Sequence, residues 1–219
     1  FGACLMNEPA LVADCVKAMR DAVSIGVTVK HRIGLDRQEN YGFVRDFVGT
    51  VSAAGCQVFI VHARNAWLQG LSPKEHREIP PLRYDIAHQL KRDFPGLQIV
   101  LNGGLSTSAQ VQAQLAAVDA VMVGRAAYHN PWWLSQWDTL CADESPCAAS
   151  REEVEQQMVD YMQQQGRAGV RWPAIARHML GLRHGMPGAR RWRQVWSSHA
   201  LRDLPPAQVM AMAHGSSGC

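Results

Sequence analysis

The stretch Gln98-Ile-Val-Leu-Asn-Gly-Gly-Leu-Ser-Thr-Ser108 decides the fold class, and Asp119-Ala-Val-Met-Val-Gly-Arg-Ala126 repeats its grammar one helix later. Each is a short apolar run that stops at glycine and leads into a helix-forming segment. A strand buried on both faces reads as a continuous apolar run, and a glycine after it lets the backbone approach a ligand closely. Two such strand-to-helix corners in succession offer backbone N–H groups and helix N-termini to a phosphate. In (β/α)8 barrels that site is frequently built from the loops after the last two strands. The two runs therefore read as the phosphate-holding end of a barrel enzyme.

Upstream, strand and helix signals alternate. Leu11 to Ala22 has helical periodicity and stops at Gly26, and Val27–Arg32 follows as a β-branched strand. Phe43, Val44, Phe47, Val48 and Val51 share one helical face, and Gln57–His62 is a second strand. Residues 68 to 82, rich in Pro, Gly and charge, read as a long loop. Ile86, Leu90 and Phe94 mark a helix that ends before Pro95-Gly96. Strand three covers Gln98–Leu101. Ser106 is placed to cap a helix running to Ala116, and strand four covers Ala120–Val123. Four βα units with parallel strands imply right-handed crossovers. They fit either an open doubly wound sheet or a chain that starts mid-barrel, because a complete (β/α)8 barrel needs about 250 residues.

The character changes after Leu140. Ala142–Ala149 is a linker by composition, Ser150 with Glu153 forms a capping box, and only helical patterns follow, with turns at Gly166 and Gly185–Gly188. This reads as a separate small helical domain over 150–205, ending in a loose tail over 206–219. From Tyr161 to Arg202 there is no Asp or Glu, while Arg167, Arg171, Arg177, Arg183, Arg190, Arg191, Arg193 and Arg202 fall in that window. An acid-free arginine segment is the electrostatic footprint of a polyanion partner, although a solvated helix face looks the same. Trp172, Trp192 and Trp196 interleave with the arginines, which suits nucleic acid and amphipathic packing alike.

The composition is that of a soluble globular protein: 219 residues, 47% hydrophobic, 19% charged, net charge +3. Six cysteines (Cys4, Cys15, Cys56, Cys141, Cys147 and Cys219) show no CxxC or paired spacing, which argues against a zinc site or a disulfide framework. A reducing, cytoplasmic setting is expected, and no membrane span or signal pattern is visible. The chain opens at Phe1, and the strand count favours a fragment of a longer enzyme. Such a half-barrel would expose two sheet edges and a bare apolar face, and would be unstable alone.

Polar groups at the C-terminal ends of barrel strands face the ligand. Here those ends carry Lys30-His31-Arg32, His62-Ala-Arg64, Asn102-Gly103-Gly104 and Gly124-Arg125. A lysine within a strand is costly unless matched, so Lys30 is expected to point at an anion or an electron-rich ring. The set forms a cradle for a phosphorylated cofactor. Flavin mononucleotide fits, though chemistry alone does not choose it over another phosphorylated ligand.

The runs Phe1-Gly-Ala-Cys-Leu-Met6, Val27-Thr-Val-Lys-His-Arg-Ile-Gly34, Phe59-Ile-Val-His-Ala-Arg64, Trp67-Leu-Gln-Gly-Leu-Ser-Pro-Lys-Glu75 and Arg77-Glu-Ile-Pro-Pro-Leu82 closely resemble the tRNA-dihydrouridine synthase family, specifically its A subfamily. So do Val123-Gly-Arg-Ala-Ala-Tyr128, Arg177-His-Met-Leu-Gly-Leu182 and Pro187-Gly-Ala-Arg-Arg-Trp-Arg193. The resemblance implies an α/β fold: the second half of a flavin-binding TIM barrel over 1–141, a linker over 142–149, and a helical tRNA-binding domain. It implies an FMN enzyme that uses NADPH to reduce uridine at positions 20 and 20a of the tRNA D-loop. Lys30 would contact the flavin ring and His62 would also be a flavin ligand. Asn102, Gly103, Gly104, Gly124 and Arg125 would form the cofactor corners. Lys74 and Arg77 in the charged loop, with Arg190 and Arg193 in the helical domain, would touch tRNA. No metal is implied.

The departures from the family pattern are specific. The family's general acid is a cysteine in a Gly-Cys-Pro motif, which does not occur here, so no catalytic residue is assigned. Cys4 reads instead as a small buried hydrophobe. Asn65 stands where the subfamily usually has lysine, and His76 where it usually has asparagine. Two other readings remain open: an RNA-binding module without catalysis, and a non-redox barrel enzyme that binds a phosphorylated metabolite.

Overall fold

The computed structural model describes residues 2–36, 40–68, 70, 72, 74–75, 78–142 and 149–215. A 3-10 segment, Gly2–Asn7, comes first. The alternation then runs α1 (Pro9–Ala22), β1 (Val29–Arg32), α2 (Tyr41–Ala53), β2 (Val58–His62), α3 (Tyr84–Asp93), β3 (Gln98–Asn102), α4 (Ser108–Leu115) and β4 (Ala120–Met122). The strands form one parallel sheet in the order β1-β2-β3-β4. Sequential order is that of a partial (β/α)8 barrel, because a doubly wound sheet reverses its order part-way across.

The register sets which side chains share a face. Lys30, Ile60, Val100 and Ala120 form one row, and Arg32, His62, Asn102 and Met122 form another. Successive strand residues point to opposite faces, so these two rows look the same way and the odd-numbered residues look the other. Phe59, Val61, Ile99 and Leu101 on the odd face have no exposed surface, and they join one core with Val44, Phe47, Val48 and Val51 of α2 and with Ala87 and Leu90 of α3. The α2 face seen in the sequence is thus the face that covers the sheet.

Helix α4 begins one residue later than the sequence suggests. Thr107, not Ser106, is the cap: its hydroxyl accepts from the Gln110 N–H at 3.2 Å while Gln110 Oε1 accepts from the Thr107 N–H at 3.2 Å. Ser106 also donates to that Gln110 oxygen, so both residues serve the same turn.

The chain divides into two compact units, Phe1–Val123 and Gly124–Cys219, rather than near residue 141. The reason lies in the packing of α5 (Arg125–His129), the 3-10 segment Pro131–Gln136 and α6 (Trp137–Ala142). The Tyr128 hydroxyl lies 3.0 Å from His178 Nδ1, and the Arg151 guanidinium stacks 4.4 Å over the Trp132 ring. The segment therefore belongs with the helices that follow it: α7 (Arg151–Arg167), α8 (Pro173–Ala176), α9 (Ala189–Trp196) and α10 (Pro206–Ala213). Residues 143–148, most of the expected linker, lie outside the described residues.

Residues 206–213 are not a loose tail. Pro206 opens α10 at a position where its missing N–H costs nothing, and Val209 and Ala213 are buried in the second core. Helix α7 starts at the capping box read from the sequence, with the Ser150 hydroxyl accepting from the Glu153 N–H at 3.1 Å and Glu153 Oε2 accepting from the Ser150 N–H at 2.6 Å. Its buried face carries Glu155, Val159 and Met162. Among the described residues no helix is long and apolar enough to cross a membrane.

Candidate functional site

The even-numbered rows of the sheet place Lys30, Arg32, His62 and Asn102 on one strand face, toward the C-terminal ends of β1, β2 and β3. Lys30 Nζ donates to Asn102 Oδ1 at 2.9 Å, and Asn102 Nδ2 donates to the Met122 carbonyl at 2.8 Å. One amide thus ties the cation of β1 to the backbone of β4. A neutral amide does not cancel the ammonium charge, so the exposed Lys30 remains a cation available to a ligand. Partial desolvation, followed by the nearby charge of Arg32, holds its amine below the usual 10.5.

After β3 the chain turns on two glycines with positive φ, Gly103 at 117° and Gly104 at 70°. A Cβ on Gly103 would lie 2.7 Å from His62 Cδ2, and one on Gly104 would strike Leu82. The tight corner is fixed from the side by Tyr84, whose hydroxyl donates to the Gly103 carbonyl at 2.7 Å. His62 is 9% exposed and stands in the same register row as Asn102. Five of the residues singled out in the sequence, Lys30, His62, Asn102, Gly103 and Gly104, are therefore gathered at one strand-end corner.

The profile of the dihydrouridine synthase (Dus) family matches residues 1–211. The chain belongs to this family. It is 51% identical over 216 residues to the tRNA-dihydrouridine(20/20a) synthase of Shewanella oneidensis, covering 99% of this chain and 64% of the relative. The enzyme of the same name from Pseudomonas putida is 54% identical over 213 residues, covering 97% and 63%. That of Escherichia coli K12 is 53% identical over 201 residues, covering 91% and 58%. The chain spans a little under two-thirds of the length of these relatives.

In this chain the other expected site residues belong to other segments. Gly124 and Arg125 open the second unit, where Gly124 precedes α5 and a Cβ on it would meet no atom within 4 Å. Lys74 is exposed in a turn where the Ser72 N–H donates to Glu75 Oε2 at 2.8 Å. Arg77 and His76 lie outside the described residues. Asn65, the other departure from the subfamily, donates to the Asp36 carbonyl at 3.1 Å, while Asp36 Oδ1 accepts from the Leu68 N–H at 2.8 Å. Arg190 and Arg193 are both exposed on α9.

One sequence expectation at these residues needs correction. Cys4 is exposed on the 3-10 segment, not buried as a small hydrophobe. Of the two readings open for the tryptophans interleaved with the arginines, the structure selects packing: Trp172, Trp192 and Trp196 are 5%, 2% and 1% exposed, core residues and not a stacking platform. Trp192 and Trp196 donate their indole N–H groups to Glu155 Oε1 at 2.7 and 2.9 Å, fixing α9 to α7.

The site also contains residues the sequence reading passed over. Arg32, named in the sequence at the end of β1 but given no role, shares the Lys30 face by the period of two along the strand. Tyr84 carried no signal, because its role depends on where α3 begins relative to the Gly103 corner. Among the described residues no group of three His, Cys, Asp or Glu side chains could hold a metal ion.

Proposed function

We propose that this chain is part of an FMN-dependent, cytoplasmic tRNA-dihydrouridine synthase that reduces uridine at positions 20 and 20a of the D-loop to 5,6-dihydrouridine, with NADPH as reductant. The observation that carries this reading is the Lys30–Asn102 pair beside a double-glycine corner, in a chain of this family. A group with an electron-rich ring and a phosphate fits these residues: a cation with no carboxylate partner among the described residues, and glycines where any side chain would crowd His62 and Leu82. When bound, a flavin supplies the hydride for the uracil C5=C6 bond.

The residues of the chain then have distinct tasks. Lys30 holds positive charge beside the ring, and Asn102 keeps Lys30 in place. His62 flanks the corner, Gly103 and Gly104 let the backbone come close, and Gly124 and Arg125 serve the phosphate. Lys74, Arg77, Arg190 and Arg193 bind tRNA phosphates, which makes association salt-dependent. The target base leaves the stack to reach the ring. No residue of this chain is assigned as the proton donor.

The test is made on the purified full-length protein of which this chain is proposed to be a part, loaded with FMN. The yellow absorbance of oxidised flavin should bleach on NADPH and return on addition of tRNA, with dihydrouridine appearing in the RNA. Asn102→Ala should weaken FMN binding about tenfold, the loss of one charge-assisted contact. A protein that takes up no flavin, or an Asn102→Ala variant that holds it as tightly as the parent, would overturn the reading.

A further inference from the structure

The helical unit contains a cleft of about 460 Å³ between the start of α8 and the turn that follows α9. Arg171, Arg177, His199 and Arg202 stand around it, with Ser197 and Ser198 at its edge. Only one carboxylate among the described residues answers the three guanidiniums. Asp203 pairs with Arg171 and, at 3.4 Å, with Arg202 Nε. Arg202 Nη1 also lies 2.8 Å from His199 Nε2, and the hydrogen bond of Arg177 goes to His178 Nε2 at 3.3 Å, not to an acid. The cleft therefore keeps a positive charge that no carboxylate among the described residues neutralises.

Its size and lining go beyond a phosphate hole. A pocket of a few hundred Å³ accommodates a small organic molecule. Pro173 and Leu180 add apolar surface beside the guanidinium groups. Arginine forks match phosphate oxygens, and a flat base can fill the apolar remainder. The cleft also has an approach. Arg190, Arg193 and Ser197 are spaced by three and four residues, so they fall on one ridge of α9, and the Ser197 hydroxyl donates to the Arg193 carbonyl at 2.7 Å. The exposed arginines of that ridge lead to the cleft edge at Ser197. A free nucleotide would need the cleft alone, whereas a strand would use the ridge as well.

We propose that this cleft seats one nucleotide of the bound RNA strand, with its phosphate on Arg171, Arg177 and Arg202 and its base against Pro173 and Leu180. The inference rests on the reading of RNA as the partner. It assigns to α8 and to the turn after α9 a subsite separate from the exposed arginines of α9.

Fluorescence titration of the full chain with labelled tRNA, over a range of salt concentrations, tests it. Arg177→Ala should weaken binding about three- to tenfold and lower the slope of log K against log salt by about one ion. Ala174→Leu, which keeps every charge but narrows the cleft, should weaken binding several-fold with an unchanged slope. Thermal melts that match the parent show that both variants fold; a variant that melts early is replaced by Arg177→Lys or Ala174→Val. Tight binding of uridine monophosphate alone, competing with tRNA at equal concentration, would overturn the strand assignment in favour of a free nucleotide. If the parent binds tRNA and Arg190→Ala weakens it, but neither cleft variant does, the cleft proposal fails and the RNA reading stands. If the parent does not bind tRNA at all, both fail.

Discussion

The two units treat a charged side chain in opposite ways. In the helical unit Glu155 has no exposed surface, yet its carboxylate is fully answered: Oε1 accepts from Trp192 and Trp196, and Oε2 from His214 at 2.8 Å, with Arg183 at 3.5 Å. In the sheet unit Lys30 is exposed, and its bond is to a neutral amide. A buried charge whose every oxygen is matched serves the fold, since any gap would be costly. A cation left with a neutral partner on an open strand face is instead available to a ligand. Reading partners, rather than charges alone, separates scaffold from site.

The largest expected effect tests the scaffold side. Glu155→Ala strands the two buried indole N–H groups of Trp192 and Trp196, and takes one acceptor from the exposed His214 and from Arg183, which keeps Glu152 at 2.7 Å. Removing one member of a buried charged network costs roughly 3–5 kcal/mol. Urea unfolding followed by tryptophan fluorescence reports it directly, because Trp192 and Trp196 are the groups disturbed. A loss below about 1 kcal/mol, the worth of an ordinary hydrogen bond, would mean that the carboxylate is not the hub of this unit.

A second buried polar group, on the core side of the sheet, sharpens the comparison. His31 packs between the rings of Phe47 and Phe59, at centroid distances of 5.4 and 5.9 Å. Its Nδ1 lies 2.6 Å from the Arg32 carbonyl and its Nε2 has no partner among the described residues. Burial, more than the charge of Lys30 beside it, pushes its pKa down from 6.5 to about 4. The unfolded chain therefore takes up a proton near pH 6.5 while the folded chain does not. Stability is at its full value above that pH, declines as pH falls, and levels off below about 4, a loss of about 3 kcal/mol from this group. Denaturant midpoints measured between pH 7 and 4 should show the decline, and His31→Phe should flatten it. An unchanged slope in that variant would move the acid sensitivity to another group.

Much of the fold was legible in the sequence because it rests on local signals. The apolar runs ending at His62, Asn102 and Val123, the helical face of α2 and the Ser150–Glu153 box each depend on a few neighbouring residues. The features that escaped depend on distant partners. Trp192 and Trp196 read equally well as nucleic-acid contacts or as packing until Glu155, far earlier in the chain, is seen beneath them. Helix α10 was masked by its small residues, since two prolines and a run of Ala and Met resemble a tail until Val209 meets a core. Tyr84 belongs to the site only through the Gly103 carbonyl. At the site itself, residue types were readable from strand ends, whereas the Lys30–Asn102 pairing required the register across β1, β2 and β3.

The smallest expected effect on stability bears most directly on the site. Gly103 has a φ of 117°, which side-chain-bearing residues rarely adopt, and a Cβ there would crowd both the His62 ring and Leu82 at 3.2 Å. Strain of this kind costs of order 1–3 kcal/mol. Gly103→Ala should therefore melt somewhat below the parent while remaining folded, unlike Glu155→Ala. Its larger consequence is local: the alanine methyl must displace His62 or the corner itself, so FMN uptake should fall much further than the modest stability change would suggest. Gly26→Ala, at an exposed position before β1 where a Cβ would meet no atom within 4 Å, supplies the contrast. If Gly103→Ala lowers FMN affinity only as much as Gly26→Ala does, the double-glycine corner is a structural turn and the ligand sits elsewhere. If only Gly103→Ala abolishes uptake, the open strand face beside Lys30 is the cofactor's seat.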